Sequence, residues 1–353
     1  MSTTDDAWPT IRVLSLGAGV QSTTLLLMSL EGILPKVDCA IFADTGWEPQ
    51  RVYDHLDLIT AQAAGEIPVL RVSKGNLRYD ITDPAHRYAS IPYFVRNPPY
   101  NVREPVRWEP CDHAGHDTDE DPDDWPCAPD DRSPIEWADR PATLAEREGM
   151  GRRQCTSEYK LTPIRRKVRE LLGASPPDFR RVPRGRVAEQ WVGFSTDEVG
   201  RVSDKFSVLY MATRYPLIEL GMDRKACERW LHSRGWTSVA KSACIGCPLH
   251  GNRQWRDLRD NHPAEWADAV ALDAAIRKGG SHAMPLRGEA FLHRSRVPLD
   301  QAPIDRVTSA EWASRQVDVF DVIADADEEG DPDGCSPYGC RSGAPVSAGS
   351  DTA

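Results

Sequence analysis

The first seventy residues alternate short apolar runs with stretches of helical spacing, and no other feature restricts the fold as much. Residues 11–16 (IRVLSL) are an apolar run that leads into the turn Gly17-Ala18-Gly19-Val20-Gln21-Ser22. Residues 23–30 then take helical spacing and end near Gly32, a C-terminal stop. Residues 37–43 (VDCAIFA) read as a second buried strand running into Asp44-Thr45-Gly46-Trp47. Helical spacing returns over 51–64 up to Gly65, and 68–72 read as a third strand. Strands alternating with helices of this length predict an α/β fold, a Rossmann-like parallel sheet with helices on both faces.

Beyond residue 75 this pattern dissolves until about residue 150, where prolines, acids and single aromatics surround CDHAGHDTDEDPDDWPC. An irregular stretch this long is a functional lid or a disordered insertion. Its Cys111, His113, His116 and Cys127 have the residue types of a zinc site, but their spacing fits no zinc pattern, and a solvated acidic loop is expected. Periodicity resumes with a helix over 161–172, a strand over 190–194, a helix capped by Asp223 and ending near Ser233, and a helix over 263–278. The expected organisation is an α/β domain over 1–235 with the insertion at about 75–150. A mostly helical C-terminal region carrying a CxxC follows over 236–320, then an acidic, Gly- and Ser-rich tail over 321–353 with two cysteines. No internal repeat occurs.

Hydrophobic residues make up 40% of the 353 and charged residues 27%, which excludes collagen, coiled coil and global disorder. No apolar run approaches the roughly 18 residues of a membrane span. The N-terminal MSTTDDAWPT carries acid where a secretory signal carries base, so a cytoplasmic protein without membrane association is expected. In that reducing setting, nine cysteines call for an explanation other than disulfides. Cys39 and Cys227 fit apolar or helical core patterns; Cys244, Cys247, Cys335 and Cys340 do not. The net charge of −11 argues against a surface made uniformly for nucleic acid. Between residues 152 and 186, however, eleven Arg and Lys face three acids, leaving a local anion site open.

A glycine-bearing turn between strand and helix frees backbone N–H groups where the helix dipole also favours an anion. Gly17 and Gly19 supply backbone freedom and Ser22 a hydroxyl; the null alternative is a plain tight turn. Asp44, Thr45 and Gly46 end the next strand on the same sheet edge, where ligands of open α/β sheets bind. Arg153, Lys160 and Arg165 surround Cys155, and Arg165 shares a helix face with Arg169, which suits a phosphate or sulfate. A nucleic-acid backbone remains open as a partner for the same stretch.

Cys244-x-x-Cys247 sets two thiolates one tight turn apart, able to reach one metal or cluster, and Pro248 follows as in iron–sulfur motifs. A zinc site or a redox-active thiol pair are the alternatives. Further thiolates would come from Cys155 and from Cys335 or Cys340.

LSLGAGVQSTTLLL and FADTGWEPQRVYDHL together resemble the adenine nucleotide alpha-hydrolase (PP-loop ATP pyrophosphatase) superfamily, and within it the phosphoadenosine phosphosulfate reductase-like proteins. The resemblance continues through RRQCTSEYKLTPIRRKV, WVGFSTDEVGRV, RYPLIELGMDRKACERWLHSRGW and SACIGCPLH. It implies a loop binding ATP or an adenylyl sulfonucleotide through Ser15, Gly17, Gly19, Gln21 and Ser22, with Asp44, Thr45 and Gly46 near the adenosine. It favours a [4Fe–4S] cluster over zinc on Cys155, Cys244, Cys247 and a tail cysteine, Cys335 or Cys340. ATP-cleaving members carry Asp where this chain has Gln21; Gln there resembles the sulfonucleotide reductases. The resemblance thus implies an iron–sulfur enzyme of reductive or sulfur-transfer chemistry, including nucleic-acid or small-molecule thiolation, with a sulfur acceptor or electron donor as partner. A true reductase with Cys340 as nucleophile, its pKa lowered beside Arg341, and a non-catalytic zinc-stabilised nucleotide-binding protein are the alternatives.

Overall fold

A computed structural model of the chain describes residues 10–86, 91–108, 134–151, 153–202, 208–239, 241–280, 286–309 and 311–312. The elements in order are β1 (Ile11–Leu16), α1 (Val20–Leu30), β2 (Cys39–Asp44), α2 (Gln50–Ala63), β3 (Val69–Ser73), α3 (Leu77–Asp80), β4 (Phe94–Arg96), β5 (Asn101–Trp108) and β6 (Pro134–Pro141). Then come α4 (Leu144–Arg147), β7 (Glu148–Met150), α5 (Thr162–Leu171), β8 (Ala188–Val192), β9 (Met211–Arg214), α6 (Pro216–Glu219), α7 (Arg224–His232), α8 (Asn252–Asn261), α9 (Pro263–Ala275) and β10 (Glu289–Phe291).

Five strands form one parallel sheet in the order β3-β2-β1-β8-β9. The chain winds outward from β1 through β2 to β3, then crosses back to build β8 and β9 on the other side. The order therefore reverses at β1 and β8, and the crevice beyond their carboxyl ends is the topological switch point.

Alternation along β1 sends Leu14 and Leu16 to one face, where Leu25 and Leu26 of α1, Leu56 and Ile59 of α2, and Leu231 of α7 cover them. Val13 goes to the other face and packs with Ile41 of β2 and with Ile164 and Val168 of α5. Helices thus flank the sheet on both sides, as the alternation predicts. Cys227 packs on the first of these sheet faces and Cys39 on the other, and burial pushes each thiol up to about 12. Both are inert packing residues.

The stretch read as structureless folds in part. β4 pairs with β7 and β10 in an antiparallel sheet, and β5 pairs with β6 as a hairpin. Three-residue strands are too short to show a period, and β5 and β6 alternate charges and prolines rather than apolar residues. A second apolar core joins Leu77, Ile81 and Ile91 to Trp255 and Leu258 of α8 and Leu272 of α9. It draws on both sides of the boundary expected at residue 235. Cys111, His113, His116 and Cys127 lie outside the described residues.

Candidate nucleotide and thiol site

The turn after β1 folds onto its own serine. The N–H groups of Gly17 and Gly19 donate to Ser22 Oγ at 3.2 and 3.3 Å, and that hydroxyl donates to the Gly19 carbonyl at 3.2 Å. Between the glycines, Ala18 is held at φ +55°, a left-handed conformation uncommon for a residue with a Cβ. The loop's donors thus converge on one oxygen at the start of an 11-residue helix. Backbone donors gathered at a helix start are of the kind that suits an anionic oxygen.

Gly193 lets the loop after β8 approach: a Cβ there would lie 3.0 Å from the backbone N of Ser22. Across this junction Gln21 Nε2 donates to Ser195 Oγ at 3.4 Å and to Glu198 Oε2 at 3.2 Å. Arg201 pairs with Glu198 and stacks its guanidinium 4.9 Å from the Phe194 ring centroid. Gln21 therefore ties β1's loop to β8's. An Asp at this position would face Glu198 with like charge, which explains an amide here. Ser15, inside β1, accepts from Gln190 Nε2 at 2.6 Å and is buried in the sheet.

The loop after β2 is set by its own side chains. Asp44 Oδ1 accepts from the Gly46 N–H at 2.7 Å and the Tyr53 hydroxyl at 2.8 Å, and burial together with Asp44 pushes that phenol up. Gly46 takes φ +70°, and a Cβ there would meet Asn76 at 2.9 Å. Thr45 Oγ1 donates to Glu48 Oε1 at 3.0 Å.

Residues 242–247 run across both loops as one strap. Ser242 Cβ is 3.5 Å from where a Gly19 Cβ would sit, so the strap rests on the Gly17–Gly19 turn. Two residues on, Cys244 Sγ lies 3.4 Å from Thr45 Oγ1 and donates to Glu48 Oε1 at 3.6 Å. The Ile245 N–H donates to the Trp47 carbonyl at 3.0 Å, and the Cys247 N–H to the Cys244 carbonyl at 3.1 Å, closing the tight CxxC turn. Trp47 Nε1 and Arg78 Nε both donate to Asp268 of α9, at 2.6 and 2.7 Å, anchoring the loop to the second core.

Cys155 precedes a π-helical turn, Thr156–Leu161, that buries Tyr159 and Lys160. Such turns are rare and recur at functional sites. Lys160 Nζ comes 3.8 Å from Glu48 Oε1, with both side chains buried. Tyr159 donates to Asp80 Oδ2 at 2.6 Å, and burial and that carboxylate push its phenol up. Cys155, Tyr159 and Cys244 share one apolar core, while Cys247 packs with Ala243 and Leu249. Arg153 is half-buried two residues from Cys155. Arg165 and Arg169 each carry a buried Nε without a hydrogen-bond partner among the described residues.

Glu48, Ser242, Gly193 and Glu198 are the positions that sequence reasoning missed. Glu48 lies four residues past Asp44 on an apolar–Pro flank, and only its acidity marked it. Cys335 and Cys340 lie outside the described residues. Among the described residues no group of three or more His, Cys, Asp or Glu is disposed to hold a metal ion. A [4Fe–4S] cluster needs four thiolates, and Cys244 is instead engaged with Thr45 and Glu48. The described residues do not by themselves fit that cluster.

Comparison of the chain with protein-family models, curated proteins and solved structures returns no match. No helix among the described residues is long and apolar enough to cross a membrane.

Proposed function

We propose that the chain binds an adenine nucleotide or sulfonucleotide and carries out reductive or sulfur-transfer chemistry on it, as the resemblance to phosphoadenosine phosphosulfate reductase-like proteins implies. One observation carries this reading: a single short strap puts Ser242 on the Gly17–Gly19 turn and Cys244 on Thr45 and Glu48. The segment that carries the Cys244 thiol is the one that rests on the turn where backbone donors converge, and this supports the reading. The phosphate or sulfate sits on the N–H groups of the Gly turn and the start of α1. Lys160, Arg153 and Arg165 supply compensating positive charge. Cys244 offers a thiol on the strap over the Gly turn, and a separate electron donor or sulfur acceptor completes the reaction.

Titration of the full chain with ATP and with adenosine 5′-phosphosulfate tests the reading, followed by release of sulfite and AMP from the latter with a dithiol added as the two-electron reductant. Binding is expected, with release lost in Cys244→Ser and binding kept. A protein that binds neither nucleotide is not of this kind. A [4Fe–4S] cluster enters only if Cys335 or Cys340 joins the three other cysteines, which anaerobic iron and acid-labile sulfide analysis decides.

A further inference from the structure

We infer that Glu48 is the acceptor for a ribose hydroxyl of the bound nucleotide, which makes the site selective for ribonucleotides over their deoxy analogues. The inference rests on the nucleotide reading above and adds what recognises the sugar. Glu48 is 4% exposed. Its Oε1 takes the Thr45 hydroxyl at 3.0 Å and the Cys244 thiol at 3.6 Å, and Lys160 Nζ stands 3.8 Å away. Its Oε2 is equally buried and has no hydrogen-bond partner among the described residues. A buried carboxylate oxygen left without a donor is costly, so this one is matched to a donor brought by a ligand.

Position selects the donor. Glu48 follows β2, the strand paired with β1, and neighbouring strands stand about 4.8 Å apart. A phosphate over the Gly17–Ser22 turn places the next group of the nucleotide, its ribose, within about one such spacing. Phosphate oxygens offer no donors at neutral pH, whereas ribose offers hydroxyls. In dinucleotide-binding doubly wound sheets an acid near the end of the second strand accepts from the ribose, and Glu48 lies four residues past the end of β2. Asp44 is the nearer acid in sequence, but its Oδ1 is already taken by Gly46 and Tyr53. One strap carries both contacts, Cys244 on Glu48 and Ser242 on the Gly turn.

Calorimetric titration of the full chain with ATP, 2′-deoxy-ATP, 3′-deoxy-ATP and inosine triphosphate tests this. Wild type is expected to bind ATP roughly tenfold or more tighter than one of the deoxy analogues, as for a hydrogen bond to a charged group. In Glu48→Gln, ATP is expected to fall to the affinity of that analogue, whose own affinity stays the same. Should Glu48→Gln not fold, the wild-type series of four nucleotides decides by itself. Equal affinities for ATP and both deoxy analogues overturn the inference while leaving the nucleotide reading intact. So does a ribose preference that survives in Glu48→Gln, or a Glu48-dependent penalty confined to inosine triphosphate, which would assign the carboxylate to the base amine. Failure to bind any of the four removes the nucleotide reading and this inference with it.

Discussion

Gly246, inside the CxxC turn, lies so close to the indole of Trp47 that a Cβ at that position would overlap the ring. The thiol strap is therefore seated on the loop after β2 by shape as well as by the Ile245–Trp47 hydrogen bond. Gly246→Ala is expected to destabilise the protein by about 1–3 kcal/mol, the usual cost of overpacking. It also raises the rate at which Cys244 reacts with a thiol reagent. Combined with Trp47→Ala, which clears the ring away, the loss should be less than additive. Denaturant unfolding and thiol labelling measure both; full additivity would mean that the two residues are not in contact.

Lys160 and Glu48 form a buried ion pair. Glu48→Ala or Lys160→Ala alone should cost about 3–5 kcal/mol, because each breaks a buried ion pair from one side only. Glu48→Met with Lys160→Met should cost clearly less than the sum. Urea unfolding of the three variants reads this directly.

Gly193 has backbone, not a flexible side chain, against its missing Cβ: Ser22 N at 3.0 Å and Gln21 C at 3.2 Å. Gly193→Ala should therefore shift the start of α1 and weaken nucleotide binding by about tenfold, equivalent to about 1.4 kcal/mol. Its melting temperature is expected to fall by only a few degrees. An unchanged Kd would show that the start of α1 does not hold the anion.

His55 lies 3.0 Å from Thr23 Oγ1, and burial lowers its pKa to about 4. His293, held by Asn252 and Ser295, is lowered to about 4 by burial and then by Arg294. Both folded-state values lie below the ordinary value of about 6.5, so between about 6.5 and 4 the unfolded chain takes up protons that the native state refuses. Stability is full above that window and falls on acidification through it, by about 2 kcal/mol per histidine between pH 7 and 4.5. Urea unfolding at the two pH values measures the loss, and His55→Gln should reduce it by about half. A pH-independent midpoint would contradict buried neutral imidazoles.

Four of the five parallel strands were legible as short, mostly apolar runs such as Cys39 to Ala43, whereas β9 (MATR) carries no such run and was missed. The helix capped by Asp223 was legible because a cap is a local event, seen as the Ala226 N–H on the Asp223 carboxylate at 2.5 Å. The short strands β4, β7 and β10 left no trace, since pairing over three residues depends on partners more than fifty positions away. Glu48 was silent for a different reason. A single acid in a polar turn has the same sequence signature whether it faces water or lies under a thiol.

The order of residues by itself determined the alternation of strand and helix, the glycine turns, and the chemical types gathered at the strand ends, because these follow from local backbone freedom and the period of apolar residues. Only the tertiary structure decided that Ser242 covers the Gly17 turn, that Cys244 meets Glu48 196 positions away, and that Gln21 turns toward Glu198. Those contacts are set by the packing of two cores against one sheet edge, and no local pattern encodes which distant side chains that packing brings together.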